Sequence, residues 1–306
     1  MSTSSRMNFA GINNIMITPF TETEKVDYDS LCNVIDKIVS KGVHAITILG
    51  VAGEAHKLSD QERSEITVKA FETVAGRCPI IVGTSSNSTK EVVSASCFAE
   101  RHGAAAVMIA PPKGLQFGPQ LIEHYSEVAK SISIPIVLQD YAEVTMVDLS
   151  PQNMLDLLRS VPQIAAIKLE TPPTPLRMSE TRQIVNDDIA IVGGNGGVLF
   201  FDELLKGANG TMNGFAYSEA LLEIWNHWNN DNQKSAEKSY FWILPLLTFE
   251  FQPKIGLAIR KEILRQRGWI KTAVLRGVSS YLNSEILSDL SNIMKNLSIE
   301  DKYDNN

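Results

Sequence analysis

Cysteine is scarce in this chain and never paired. Cys32, Cys78 and Cys97 are scattered over 306 residues, with no CxxC and no ligand-like spacing. Neither a disulfide framework nor a zinc ribbon is expected, and three reduced, buried thiols of a cytoplasmic protein fit best. His44, His56, His102, His124 and His227 form no HExxH or HxH arrangement, so no metal site is expected. Long apolar runs are missing as well. The longest are strand-sized, which excludes a transmembrane helix and any membrane partner of that kind. The opening Met-Ser-Thr-Ser-Ser-Arg-Met-Asn-Phe lacks the apolar core of a signal peptide. There is no basic tract, and the formal net charge is −7, so nucleic acid is not an expected partner.

What the chain does contain is alternation. Short apolar runs lie near 12–18, 43–49, 79–83, 105–110, 134–138, 164–168, 189–193 and, more weakly, 209–213. Amphipathic helical patterns separate them, at 28–41, 59–75, 89–102, 118–131, 150–160, 175–186 and 197–207. Ser59 and Ser88 each precede a glutamate by three residues, the mark of a capping box. Eight runs, each followed by a helix, predict an α/β fold, a (β/α)8 TIM barrel. The competitor is a doubly wound sheet, which would show a GxGxxG loop after an early strand; none is present. Residues 1–217 hold the barrel strands and the first seven helices, and 218–229 the last barrel helix. Residues 230–298 form a C-terminal helical extension, at 232–248, 254–267 and 284–297. A polar tail, 299–306, is expected to fray.

In such a barrel the C-terminal ends of the strands share one face. Lys168 ends the sixth run, Ile164-Ala165-Ala166-Ile167-Lys168, and so points an amine into whatever cleft lies there. Burial disfavours the ammonium form, which is expected to lower its pKa, and a neutral amine can attack a ketone to form a Schiff base. The bland alternative is a lysine that snorkels from a strand end into water. Gly50, Val51, Ala52, Gly53 and Glu54 follow the second run. Small residues between glycines let backbone N–H groups approach an anion such as a carboxylate, or simply pack as a turn. Gln139, Asp140 and Tyr141 follow the fifth run and offer substrate ligands and acid/base groups. Glu170, two residues past Lys168, is a proton shuttle or a partner that fixes the lysine. Gly194 and Asn195 lie in the glycine-rich loop 193–197, where a substrate can meet the chain. His56 is a further, weaker base candidate, since a loop histidine is usually solvated.

These residues carry a resemblance. Thr18-Pro19-Phe20, GVAGEAHKLSDQER from Gly50, VGTSSNST from Val82, Ala110-Pro111-Pro112, IKLE at 167–170 and GANGTMNGF at 207–215 together resemble the dihydrodipicolinate synthase / N-acetylneuraminate lyase family of class I aldolases. The resemblance covers nearly the whole chain. It implies a (β/α)8 barrel with extra C-terminal helices, and a Schiff base between Lys168 and pyruvate or another 2-oxo acid. It also implies that no further cofactor is needed, and a homotetramer built from tight dimers, or a homodimer.

The departures fall on one part of that pattern. Where the family usually has two hydroxyls in a GTTGE loop, this chain has Val51 and Ala52. Where it has a tyrosine in a YNVP-like string, this chain has Gln139, with Tyr141 two residues on and leaving the same face of an extended strand. The tyrosine usually lent across the dimer falls near Pro112 or Lys113. The arginine that holds the aldehyde substrate's carboxylate aligns with Val144. The amine is kept and the condensation machinery is not. The resemblance therefore implies a Schiff-base lyase, aldolase or dehydratase, on pyruvate or a 2-oxo-3-deoxy acid. True synthase activity with aspartate semialdehyde, and a non-catalytic barrel that binds an oxo acid, are the alternatives.

Overall fold

In the computed structural model, which describes residues 7–277 and 282–304, eight parallel strands form one sheet in the order β7-β6-β5-β4-β3-β2-β1-β8. They are β1 Gly11–Ile15, β2 Ala45–Ile48, β3 Ile80–Gly83, β4 Ala106–Ile109, β5 Ile136–Asp140, β6 Ile164–Leu169, β7 Ala190–Val192 and β8 Gly210–Asn213. The two ends of that order meet. Gly193 N–H donates to the Gly210 carbonyl and Met212 N–H to the Gly193 carbonyl, so the sheet closes into a barrel. Among the described residues the helices are α1 Tyr28–Ser40, α2 Asp60–Val74, α3 Thr89–Arg101, α4 Pro119–Ser131, α5 Ala142–Thr145, α6 Pro151–Ser160, α7 Thr174–Ile184 and α8 Phe200–Leu205. They continue with α9 Ser218–Asn229, α10 Gln233–Glu250, α11 Gly256–Gln266, α12 Ser284–Leu297 and α13 Ile299–Tyr303. None is long and apolar enough to cross a membrane.

The periodicity of the sequence is realised as two apolar layers. Ile15, Ala45, Ile81, Ala106, Met108, Val137, Ala166, Val192 and Met212 fill the barrel interior. The alternate strand residues, with the helices' buried faces, form the layer outside. Ser59 and Glu62 make the expected capping box of α2. At α3 half of it forms: Ser88 accepts from Glu91 N–H, but the Glu91 carboxylate is held by Ser86.

One irregularity sets the site. Ile164 and Ile167 both lie in the outer layer although they are three positions apart. A β-bulge permits this: Ile136 pairs with Ile164 while Val137 pairs with Ala166, leaving Ala165 as the extra residue. Both Ala165 and Ala166 then face inward, and the alternation restarts so that Lys168 also faces the interior. A one-residue change of register turns every later side chain to the other face.

The tail past Ser298 does not fray. Ile299 is buried, the Tyr303 hydroxyl donates to Glu223 at 2.8 Å, and Asp304 pairs with Arg267 at 2.7 Å. Its polar sequence hid one apolar anchor and two side chains with partners waiting on α9 and at the end of α11. Asn305 and Asn306 lie outside the described residues. The three cysteines are free but half-buried rather than buried.

Candidate active site

Lys168 stands one residue before the end of β6, in register with Gln139 of β5 and Val192 of β7. It is 5% exposed. Its amine lies 2.9 Å from Oε2 of Glu170, which is the next inward-facing residue along the chain. The same carboxylate oxygen accepts from Nε2 of Gln139 at 2.7 Å. The other oxygen faces Asn195 N–H at 3.4 Å, and Asn195 Nδ2 donates to the Glu170 carbonyl at 2.9 Å. Glu170 is thus clamped on three sides, with the amine on the fourth. Gly194 is the residue that makes room: a methyl group there would sit 2.5 Å from Glu170 Cγ and Oε1. Gly194 and Asn195, expected as substrate ligands, both serve to hold Glu170.

Tyr141 follows β5, and its phenol is close enough to Glu170 and Glu143 to feel both charges. Burial first, and those charges second, push it up to about 12. At neutral pH it is a proton donor, not a base.

Asp140, expected among the catalytic residues, faces the other way. Strand alternation turns Gln139 inward and Asp140 into the helix layer, where Arg177 of α7 pairs with it at 3.3 Å. Arg177 also reaches Asp148 at 3.0 Å and donates to the Leu149 carbonyl at 2.6 Å. Burial pushes Asp140 up to about 6 against the pull of Arg177. Its work is to tie the segment after α5 to the barrel wall.

The turn after β2 forms two short 3₁₀ turns, Val51–Gly53 and Ala55–Lys57. Gly50 abuts the interior side chains Ile15 and Met108, and Ala52 packs on the interior layer, so the turn borders the same mouth as Lys168. The N–H groups of Val51 and Ala52 open it and have no acceptor within it. Val51 is exposed, and His56 is exposed on the loop. Glu54, expected among the substrate ligands, is 1% exposed. Its carboxylate turns away from the mouth to Lys261 at 2.6 Å and Lys57 at 2.8 Å.

Sequence reasoning missed Glu203 of α8. It is buried, accepts from Thr174 Oγ1 at 2.6 Å, and its other oxygen has no partner among the described residues. That oxygen occupies the place a methyl on Gly193 would take, so Gly193 and Gly194 lie between Glu203 outside and Glu170 inside. Burial, reinforced by the charges of Glu170 and Asp202, pushes Glu203 up to about 7. A carboxyl inside the apolar run Phe200-Phe201-Asp202-Glu203-Leu204-Leu205 is the signal that could have found it.

An interior lysine and a carboxylate at the mouth of a closed barrel make a site for carbonyl chemistry, and comparison with known proteins places the chain in a family. A profile of the Dihydrodipicolinate synthetase family matches residues 8–297. The chain belongs to this family. It is 30% identical over 304 residues to an L-2-keto-3-deoxyarabonate dehydratase of Azospirillum brasilense, covering 97% of each chain. It is 31% identical over 249 residues to a 4-hydroxy-tetrahydrodipicolinate synthase of Methanocaldococcus jannaschii, covering 79% of this chain and 83% of that one. Among solved structures, the dihydrodipicolinate synthase of Rhodopseudomonas palustris superposes with a TM-score of 0.88 at 26% identity, covering 94% and 97% of the two chains. That of Aquifex aeolicus superposes at 0.87 and 25% identity, covering 95% and 98%. The protein is a lyase of this family.

Proposed function

We propose that this lyase forms a Schiff base between Lys168 and a 2-oxo-3-deoxy acid and removes the C4 hydroxyl as water. The observation that carries the proposal is the Glu170 carboxylate 2.9 Å from the Lys168 amine, at a mouth where Val51, Ala52 and Gln139 stand in place of the hydroxyls and the tyrosine of the synthase pattern. Glu170 takes a proton from the amine, which attacks C2, and returns it to the carbinolamine hydroxyl, whose loss as water gives the iminium and leaves Glu170 ionised. The iminium draws electrons from C3, so Glu170 removes a C3 proton as the enamine forms. The enamine electrons then expel the C4 hydroxyl, which leaves as water with a proton from Glu170 or Tyr141. Hydrolysis of the imine frees Lys168. The iminium is the electron sink, so no metal or organic cofactor is required. The turn receives the substrate carboxylate on the backbone N–H groups of Val51 and Ala52, and Gln139 orients Glu170.

Synthase activity is the weaker reading. Val144 stands, 44% exposed, where an arginine would hold the carboxylate of aspartate semialdehyde. A carboxylate that loses its partner costs roughly 3–5 kcal/mol, about two to four decades in rate if felt in the transition state. The protein is further proposed to be cytoplasmic, in keeping with its free thiols, and to work as a homotetramer or homodimer.

The test is borohydride trapping with pyruvate and with a panel of 2-oxo-3-deoxy sugar acids, followed by peptide mass mapping and turnover assays. The adduct is expected on Lys168 and absent from Lys168→Ala, and dehydration is expected with the sugar acids. An adduct that survives Lys168→Ala would refute the assignment. Trapping without turnover of any acid would leave only a binding barrel. Turnover of aspartate semialdehyde with pyruvate at ordinary enzyme rates would restore the synthase reading.

A further inference from the structure

The C-terminal extension reaches the turn that borders the barrel mouth through Lys261. Lys261, in the middle of α11, is 0% exposed, yet it carries an ammonium group among Phe20, Val274 and Glu54. Its amine donates to Glu54 Oε1 at 2.6 Å and to the Val274 carbonyl at 2.9 Å, and it lies 4.5 Å from the centre of the Phe20 ring. The second oxygen of Glu54 takes Lys57 Nζ at 2.8 Å and the backbone N–H of Arg276 at 3.2 Å. The extension thus supplies two of the three groups that hold this carboxylate.

Glu54 ends the turn that borders the mouth, and the turn, closed by its own Gly53 and Glu54 N–H bonds to the Gly50 and Val51 carbonyls, is strained at both ends. It is entered at Leu49 with φ 57° and left at Glu54 with φ 52°, two L-residues in the left-handed region, which sterics disfavour for any residue with a Cβ. From the barrel, Thr18 grips the turn's far end by donating to the Gly53 carbonyl at 2.7 Å, and Lys57 holds one oxygen of Glu54. We infer that Lys261 is a positioning residue: through Glu54 it holds the Gly50–Gly53 turn in the one conformation whose N–H groups face the substrate carboxylate. The extension then sets the affinity for the oxo acid without touching it. This rests on the proposed role of that turn in carboxylate binding.

The experiment measures the pyruvate concentration that half-saturates borohydride trapping at Lys168, together with the trapping rate at saturation and the Tm. Lys261→Met leaves Glu54 buried with Lys57 as its remaining ion-pair partner among the described residues, so the double variant Glu54→Gln/Lys261→Met, which removes both charges, is the main probe. Its half-saturating concentration is expected to rise roughly ten- to a hundredfold, as loss of positioning does, with the saturated rate near wild type. That split marks lost ground-state binding, which a purely structural ion pair would not produce. If neither variant folds, Glu54→Asp keeps the charge and shortens its reach, and is expected to shift the same quantity in the same direction. A folded variant with wild-type half-saturation overturns the inference alone. Wild-type protein that is not trapped at Lys168 overturns the reading of the site, and this inference with it.

Discussion

At the scale of the residue, the chemistry turns on one carboxylate and the space made for it. Glu170 is oriented by Gln139 and by Asn195, and Gly194 leaves no room for any larger residue behind it. Glu170→Gln keeps the shape and the hydrogen-bonding capacity but cannot accept a proton. The Lys168 adduct is expected to persist in that variant while turnover drops by roughly 10²–10⁴, the range of a lost general base. Gly194→Ala should act on the same step from behind, because its methyl would meet Glu170 Cγ and Oε1 at 2.5 Å. Turnover is expected to fall while trapping at Lys168 continues; wild-type turnover in Gly194→Ala would show that the position of Glu170 does not matter. Lys168 and Glu170 were legible in the sequence, as polar residues closing an apolar strand. Asp140 was misassigned because adjacent residues of a strand look alike in a string and face opposite layers in a barrel. Glu54 was misassigned because its partner lies on a helix more than two hundred residues away.

At the scale of the element, strands and helices were legible from period and caps, and their facing was not. The eight apolar runs lie on the eight strands, including the weak eighth, Gly210–Asn213. The bulge at Ala165 left no trace in composition, since two alanines fit an inward or an outward position equally well. The short α5 and the 3₁₀ turns at the mouth are too brief to show a period. Helix α8 carries its own consequence. The Glu203 carboxyl is raised from 4.5 to about 7 by burial. A raised folded pKa contributes stability below the unfolded value, and that contribution is lost as pH rises through the folded value. Glu203→Gln removes this dependence. Whatever its offset in acid, the variant is expected to gain on wild type by several degrees in Tm between pH 4.5 and pH 7.5. A difference in Tm that stays constant across that window would show that Glu203 does not titrate there.

At the scale of the whole molecule, the extension is a buttress for half of the mouth. Phe251, at the end of α10, lies against Gly196 of the loop after β7. Arg260 of α11 pairs with the buried Glu250 at 2.6 Å, whose other oxygen accepts from Ala216 N–H in the loop after β8. The amphipathic pattern of the extension announced a buried face without naming what it covers, because a rim and a subunit interface demand the same periodicity. Arg276 is the outermost tie. Its guanidinium pairs with Glu62 of α2 at 2.7 Å and donates to the Glu24 carbonyl at 2.7 Å. The hydrogen bonds from Arg276 hold the Glu62 carboxyl at about 2, against a usual 4.5. A depressed carboxylate stabilises the fold above its unfolded pKa, and the contribution drains away as pH falls toward the folded value. Arg276→Ala should therefore lower Tm by a few degrees at pH 7, and the deficit should narrow below pH 4.5 and nearly close by pH 2. The closure is partial only for what the guanidinium does besides titrate its partner, namely its stacking on the Phe20 ring at 4.5 Å and its bond to the Glu24 carbonyl. Thermal melts of the two proteins across that range separate these contributions. A deficit of equal size at pH 7 and pH 2 would assign the tie to stacking and carbonyl contacts, and would remove the Glu62 ion pair from the account of how the extension is held.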